Sequence, residues 1–283
     1  MGGFLSACDY FDVEDYDFLE EASGTSANGW GARIGAAELV AELASHVLEG
    51  DVAAFELALE RDDALTRLLL EDESFRRLTL LGLSYGVARE DPTCANYLGA
   101  LYYMGSVVPL DYRRAKELYE LADAGGLAQG MVNLGYVYEY GRVGEPDYVR
   151  AYMQYAKAAA LFGHHEALCK LGDMYARGKA VERDLRTALA LWDRSLSAAK
   201  DEMAQAQPAF RIAELICDSA NEGLGLPYDP LGALRLYQLA ERGLMAVIAA
   251  GETYYRGRLA EAIEGQERMR AVLRAPGGER YLG

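Results

Sequence analysis

"YLGALYYMG" at residues 97–105 is followed by "NLGYVYEYG" at 133–141 and "KLGDMYARG" at 170–178. Each stretch has Leu-Gly, a Tyr three residues after that Gly, and a second Gly three further on. Thirteen residues after the leading Leu98, Leu134 and Leu171 comes an Asp: Asp111, Asp147 and Asp184. Four beyond each Asp is an Ala (Ala115, Ala151, Ala188), and four beyond that an aromatic (Tyr119, Tyr155, Trp192). A small residue follows three later (Ala122, Ala158, Ser195), and Asp229, Ala233, Tyr237 and Ala240 write this second half once more. Steps of four, four and three trace one face of a helix and not of a strand.

The punctuation agrees with that period. An Asp before a helix accepts hydrogen bonds from the free amides of the first turn, and Asp229 is followed by Pro230, favoured at the first helical position. The closing Gly105, Gly141 and Gly178 suit the left-handed residue that ends a helix. Each copy therefore reads as helix, Gly stop, loop, Asp cap, helix. Gly99, Gly135 and Gly172 fall inside the first helices, where Gly costs about 1 kcal/mol relative to Ala. They predict a close approach by a neighbouring backbone, with Ala115, Ala151 and Ala188 facing them and the aromatic residues filling the space between hairpins. Such a hairpin cannot bury its face alone, so neighbours must stack.

These residues carry a resemblance. The pattern LG-x-x-Y-x-x-G, a loop, then Asp-x-x-x-Ala-x-x-x-aromatic-x-x-small resembles the Sel1-like repeat, a relative of the tetratricopeptide repeat, from about Pro92 to Gly257. The copy around "RIAELICDS" (211–219) departs from it: Ala213 stands for the first Gly, Ile216 for the Tyr and Ser219 for the second Gly. A last half-copy, "AAGETYYRG", restores Gly251, Tyr254 and Gly257. The resemblance implies an all-α protein, a right-handed α-solenoid of stacked antiparallel helix hairpins with helical caps at both ends. The organisation expected is an acidic, aromatic, poorly ordered tail at 1–34, an N-terminal helical cap at 35–91, the repeats at 92–257, and a capping helix and tail at 258–283. Within the N-terminal cap, 36–48, 53–59 and 73–89 read as helices.

Bulk properties narrow the function. A chain of 283 residues, 51% hydrophobic, can bury a substantial core. Its net charge of −16 argues against a grip on phosphate backbones, which needs clustered Lys and Arg. The excess of Arg over Lys suggests a GC-rich bacterial genome. Cys8, Cys94, Cys169 and Cys217 form no CxxC pair, so neither a disulfide framework nor a zinc knuckle is signalled and a reducing, cytoplasmic setting is the default. The uncharged run 92–110 is interrupted by Asn96, two glycines and Pro109 and coincides with one repeat copy, so it reads as a buried helix and loop, not a membrane span. "MGGFLS" fits an acylation pattern and "LSAC" a lipoprotein cleavage box. Both lack the basic flank such signals need, leaving secretion or lipid anchoring as the alternative setting.

Two patterns carry possible chemistry. "GLSYG" (82–86) matches the nucleophile elbow that would make Ser84 a hydrolase nucleophile, but no strand-helix alternation surrounds it. His165, Cys169 and Asp173 lie at spacings of four, as metal ligands on one helix face would, yet His164 and His165 resemble ordinary turn residues of the repeat. No catalytic residue, cofactor or metal is assigned, and the enzyme reading is the runner-up.

The resemblance implies an adaptor that holds partner proteins. With neighbouring first helices about 10 Å apart, four make a trough of roughly 30 to 40 Å, room for an extended segment of about ten residues. Positions one before, two after and six after each leading Leu should line it. They select Tyr97, Ala100 and Met104, then Asn133, Tyr136 and Tyr140, then Lys170, Asp173 and Arg177. Tyr and Arg in this set suit a protein interface. The partner expected is a protein or peptide, with no nucleic acid and no membrane span, and the oligomeric state stays open. The acidic N-terminal segment offers a second reading, as a docking segment or an internal plug.

Overall fold

A computed structural model describes residues 13–24, 34–55, 69–251 and 253–281. Among them every regular element is helical, which makes this an all-α helical-repeat fold of the solenoid class. The chain divides into two compact units, Met1–Pro146 and Asp147–Gly283.

Unit 1 contains α1 (Val13–Gly24), α2 (Ile34–Glu49), α3 (Glu73–Ala88), α4 (Pro92–Met104), α5 (Tyr112–Ala124) and α6 (Ala128–Glu139). The predicted cap forms at Asp111, which accepts from the amides of Arg113 and Arg114, and Asp91, which the pattern did not single out, accepts from those of Thr93 and Cys94. Gly105 and Gly141 take φ of +68° and +59°, the left-handed region that only Gly enters without strain. Inside the hairpin, Ala115, Tyr119 and Ala122 are buried, and Ala115 and Tyr119 pack with Leu134 and Val137 of α6. In unit 1 the second helix α5 thus lies between its own first helix α4 and the next one, α6.

The in-helix glycines do something different from the expectation. A methyl on Gly99 would stand 2.8 Å from the Tyr119 ring, so the glycine makes room for the aromatic of the second helix and not for the backbone at Ala115. Gly172 meets the Trp192 ring in the same way in unit 2.

The N-terminal region also departs from its reading. Residues 13–24 are a helix, with Leu19 and Ala22 fully buried against α2, and Arg77 of α3 pairs with Asp15 at 2.7 Å while lying over the Phe18 ring. Apolar residues spaced three apart were enough to dock an acidic segment that composition alone marked as loose. Residues 1–12 and 25–33 of the expected tail, and 56–59 of the expected 53–59 helix, lie outside the described residues. α3 stands before the first repeat in the place of a preceding second helix. Gly86 near its end packs on Cys94 of α4, as Ala122 near the end of α5 packs on Gly130 of α6.

Unit 2 contains α7 (Tyr148–Phe162), α8 (His165–Arg177), α9 (Leu185–Ala198), α10 (Glu202–Ile216), α11 (Pro230–Ala249) and α12 (Arg256–Arg274). Asp147, Asp184 and Asp229 cap α7, α9 and α11. In the departing copy α10 remains helical and buries Ala213 and Ile216 where Gly and Tyr stood before. The half-copy at 251–257 does not form a first helix. Gly251 sits in a turn with φ of +111°, Tyr254 is 88% exposed within a 3-10 turn, and Gly257 lies in the first turn of α12. α12 instead closes unit 2 by setting Gly265 against the Tyr237 ring of α11.

Candidate partner-binding surface

The predicted stripe belongs to the first helices α4, α6 and α8, and its three positions behave differently. The position six after the Leu is the outward one: Met104 is 63% exposed, Tyr140 49%, and Arg177 is exposed. The other two positions are half-buried or buried, and at Asn133 and Asp173 they tie neighbouring first helices together. In unit 1 the Asn133 amide donates to Asn96 Oδ1 at 2.9 Å, joining α6 to α4, and Gln129 donates to Asn133. Tyr97 and Ala100 are half-buried, Tyr97 packing on the N-terminal core. Tyr136 is half-buried and stacked on Tyr140, centroids 5.8 Å apart.

In unit 2 Lys170 is half-buried. Asp173 is not an exposed contact residue. It is 5% exposed and clamped by Arg211 of α10, whose Nε pairs with Oδ1 and whose Nη2 donates to Oδ2 at 2.7 Å, while Trp192 Nε1 donates to Oδ1 at 3.1 Å. A carboxylate two after the Leu faces the neighbouring first helix, and an Arg one before that helix's Leu-equivalent completes it. Burial without such a partner would be costly.

Sequence reasoning missed two clusters. Arg142, in the loop after α6, lies 5.2 to 5.5 Å from the centroids of Tyr103, Tyr112 and Tyr140 and donates to the Tyr103 hydroxyl at 3.0 Å. That hydrogen bond, more than anything else, raises its pKa. The signal was there in a Tyr-rich first copy followed by an Arg directly after a closing Gly. The second cluster is a surface hollow of about 250 Å³ in unit 2, where α8, α10 and α12 meet. Arg177, Phe210, Arg211, Glu214 and Arg258 line it. Arg258 lies over the Phe210 ring at 4.7 Å and donates to Gln207 Oε1 at 3.1 Å. Burial first, then the charge of Arg211, lowers its pKa. Its distance in sequence from the other lining residues hid it.

The chemical patterns resolve differently. Ser84 lies mid-way along α3, so "GLSYG" is a helical turn without the strand an elbow requires, and its two glycines pack on Phe55 and Cys94. His165, Cys169 and Asp173 do not converge. Cys169 is buried, its thiol pushed up to about 12 by that burial, and Asp173 is taken by Arg211. Among the described residues no three His, Cys, Asp or Glu side chains could hold a metal, and Cys169 and Cys217 form no disulfide. No helix among them is long and apolar enough to cross a membrane.

A family model for the Sel1 repeat matches residues 92–123, 128–161, 165–199 and 218–242. The chain is a Sel1-repeat protein. The fourth match of this Sel1-repeat protein begins only after α10, where the first half of that copy departs from the pattern. The crystal structure of a Sel1 repeat protein from Oxalobacter formigenes is similar, with TM-score 0.50 and 22% identity, covering 74% of this chain and 82% of that one. That of c5321, a protective antigen present in uropathogenic Escherichia coli strains and displaying an SLR fold, aligns over 92% of this chain and 64% of its own, at 18% identity and TM-score 0.34. No curated protein matches the chain. Sel1 repeats generally serve as protein–protein interaction modules and are typically not enzymes.

Proposed function

We propose that this Sel1-repeat protein is a non-enzymatic scaffold that holds a partner polypeptide on the first helices of its repeats. The observation that carries the reading is the position six residues after each leading Leu, where Met104 and Tyr140 in unit 1 and, separately, Arg177 in unit 2 put apolar, aromatic and cationic groups at the surface. Residues of these types dominate binding energy at protein interfaces. Regular helices also hold them without the entropy cost of ordering a loop.

Peptides selected from a display library on the immobilised protein test this. The triple variant Met104→Ala, Tyr140→Ala, Arg177→Ala is expected to lose at least about tenfold in affinity, roughly 1.4 kcal/mol or more, with little change in melting temperature. Enrichment of no peptide above a blank support, or equal affinity of the triple variant, would remove the reading.

A further inference from the structure

We propose that the hollow between α8, α10 and α12 receives a side-chain carboxylate of an acidic partner segment, with the aliphatic or aromatic part of that segment resting at its rim. The proposal rests on the peptide-binding reading above and specifies what the peptide must carry at this one place.

The charges in the hollow are unevenly matched. Asp173 is held by Arg211. Glu214 is held by Arg268 at 3.0 Å and by the Tyr237 hydroxyl. Two guanidiniums remain. Arg258, with its side chain 31% exposed, has a neutral hydrogen-bond partner in Gln207, and its nearest carboxylate is the exposed Glu261 at 3.5 Å. Arg177 is exposed, and its side chain makes no ion pair among the described residues. In a chain of net charge −16, a lining of three guanidiniums against two carboxylates, with Arg177 unmatched and Arg258 paired only to an exposed Glu261, is a local reversal of sign, and it draws an anion by charge complementarity.

The geometry selects which anion. Guanidinium groups present paired donors that match a planar carboxylate. Asp173 and Glu214 stand in the same lining and repel a phosphate dianion more than a carboxylate of single charge. Capture of a chain terminus uses free backbone amides arranged as a nest. Here the donors are side chains, Arg177 at the end of α8 and Arg258 in the first turn of α12, so a strand crossing them presents a side chain and passes on.

A fluorescein-labelled, C-terminally amidated peptide of about ten residues with a central Glu-Phe-Glu tests this by fluorescence anisotropy at low salt. Two controls carry Gln-Phe-Gln and phosphoserine-Phe-phosphoserine. The Glu peptide is expected to bind at least about tenfold more tightly than the Gln peptide, and Arg258→Gln is expected to remove most of that difference. Arg177→Gln is expected to weaken binding several-fold, less so at high salt, where exposed charges are screened. Should Arg258→Gln lower the melting temperature, Arg177→Gln decides, because its side chain supports no neighbour. Equal affinity for Glu and Gln peptides, tighter binding of the phosphopeptide, or undiminished binding in the deciding variant overturns the proposal. A library that yields peptides while the Glu peptide fails also overturns it and leaves the scaffold reading standing. A library that yields none removes the scaffold reading itself.

Discussion

Gly172 shows how much one missing methyl decides. A Cβ there would run into the Trp192 ring, whose Nε1 is fixed by the Cys169 carbonyl at 3.1 Å and by Asp173. Ala in place of Gly gains about 1 kcal/mol in helix propensity, whereas overpacking a fixed ring costs about 1 to 3 kcal/mol. The second effect wins, and Gly172→Ala should lower the urea midpoint; Gly257→Ala, with open space around its Cα, should not. Asp173 and Cys169 on the same helix make a second prediction. Burial holds the Cys169 thiol at about 12, against an ordinary 9.0. Below about pH 9 the thiol is protonated folded and unfolded, and its contribution does not vary. Between about 9 and 12 the unfolded chain ionises while the folded one cannot, so stability falls with rising pH by up to about 1.4 kcal/mol per unit. Cys169→Ala should flatten that decline in urea titrations from pH 8 to 10.5, whatever it does to stability at neutrality. An equally steep decline in the variant would show that the thiol is accessible in the folded state.

At the scale of the element, what the sequence made legible was what is local. Asp caps and Gly stops act within one turn, so the starts of α5, α7, α9 and α11 and the ends of α4 and α8 followed from single residues. The cap at Asp111 receives amides at 2.9 and 3.0 Å, and Asp111→Ala should cost about 1 kcal/mol, read as a lower urea midpoint with helicity by circular dichroism nearly unchanged. What stayed hidden joins residues far apart. Nothing in the spacing says that Gly99 waits for a ring twenty residues on and not for Ala115, because both lie on the buried side of the hairpin. Period alone selected three columns, of which only that of Met104, Tyr140 and Arg177 is exposed. The burial of Asp173 was not legible, because an acidic residue reads as surface until Arg211 is seen across the helix boundary. The same holds for α12: its packing glycine, Gly265, lacks the Leu and Tyr that mark the other copies, while "AAGETYYRG" copies their letters in a turn.

At the scale of the whole chain, composition misled where a few apolar residues outvoted many charged ones. The acidic run around residues 13–24 looks too polar to fold, yet Leu19 and Ala22 are fully buried in the core of unit 1. Two contributions hold α1 in place, and their sizes decide which matters. The Arg77–Asp15 pair is at 2.7 Å with side chains 43% and 26% exposed, and exposed pairs of this kind contribute about 0 to 1 kcal/mol. A fully buried Leu loses about 2 to 5 kcal/mol on truncation to Ala. Leu19→Ala should therefore destabilise unit 1 by at least about 2 kcal/mol, and Asp15→Asn by a small fraction of that. Hydrogen exchange locates the effect, since protection in α2 and α3 should fall in the first variant and hold in the second. Deleting residues 2–29 should act like Leu19→Ala and worse, so any loss of partner binding in that deletion has to be read against its melting curve. Unchanged protection in Leu19→Ala would mean that α1 contributes nothing to the core, and the segment would return to being a free acidic tail available for docking elsewhere.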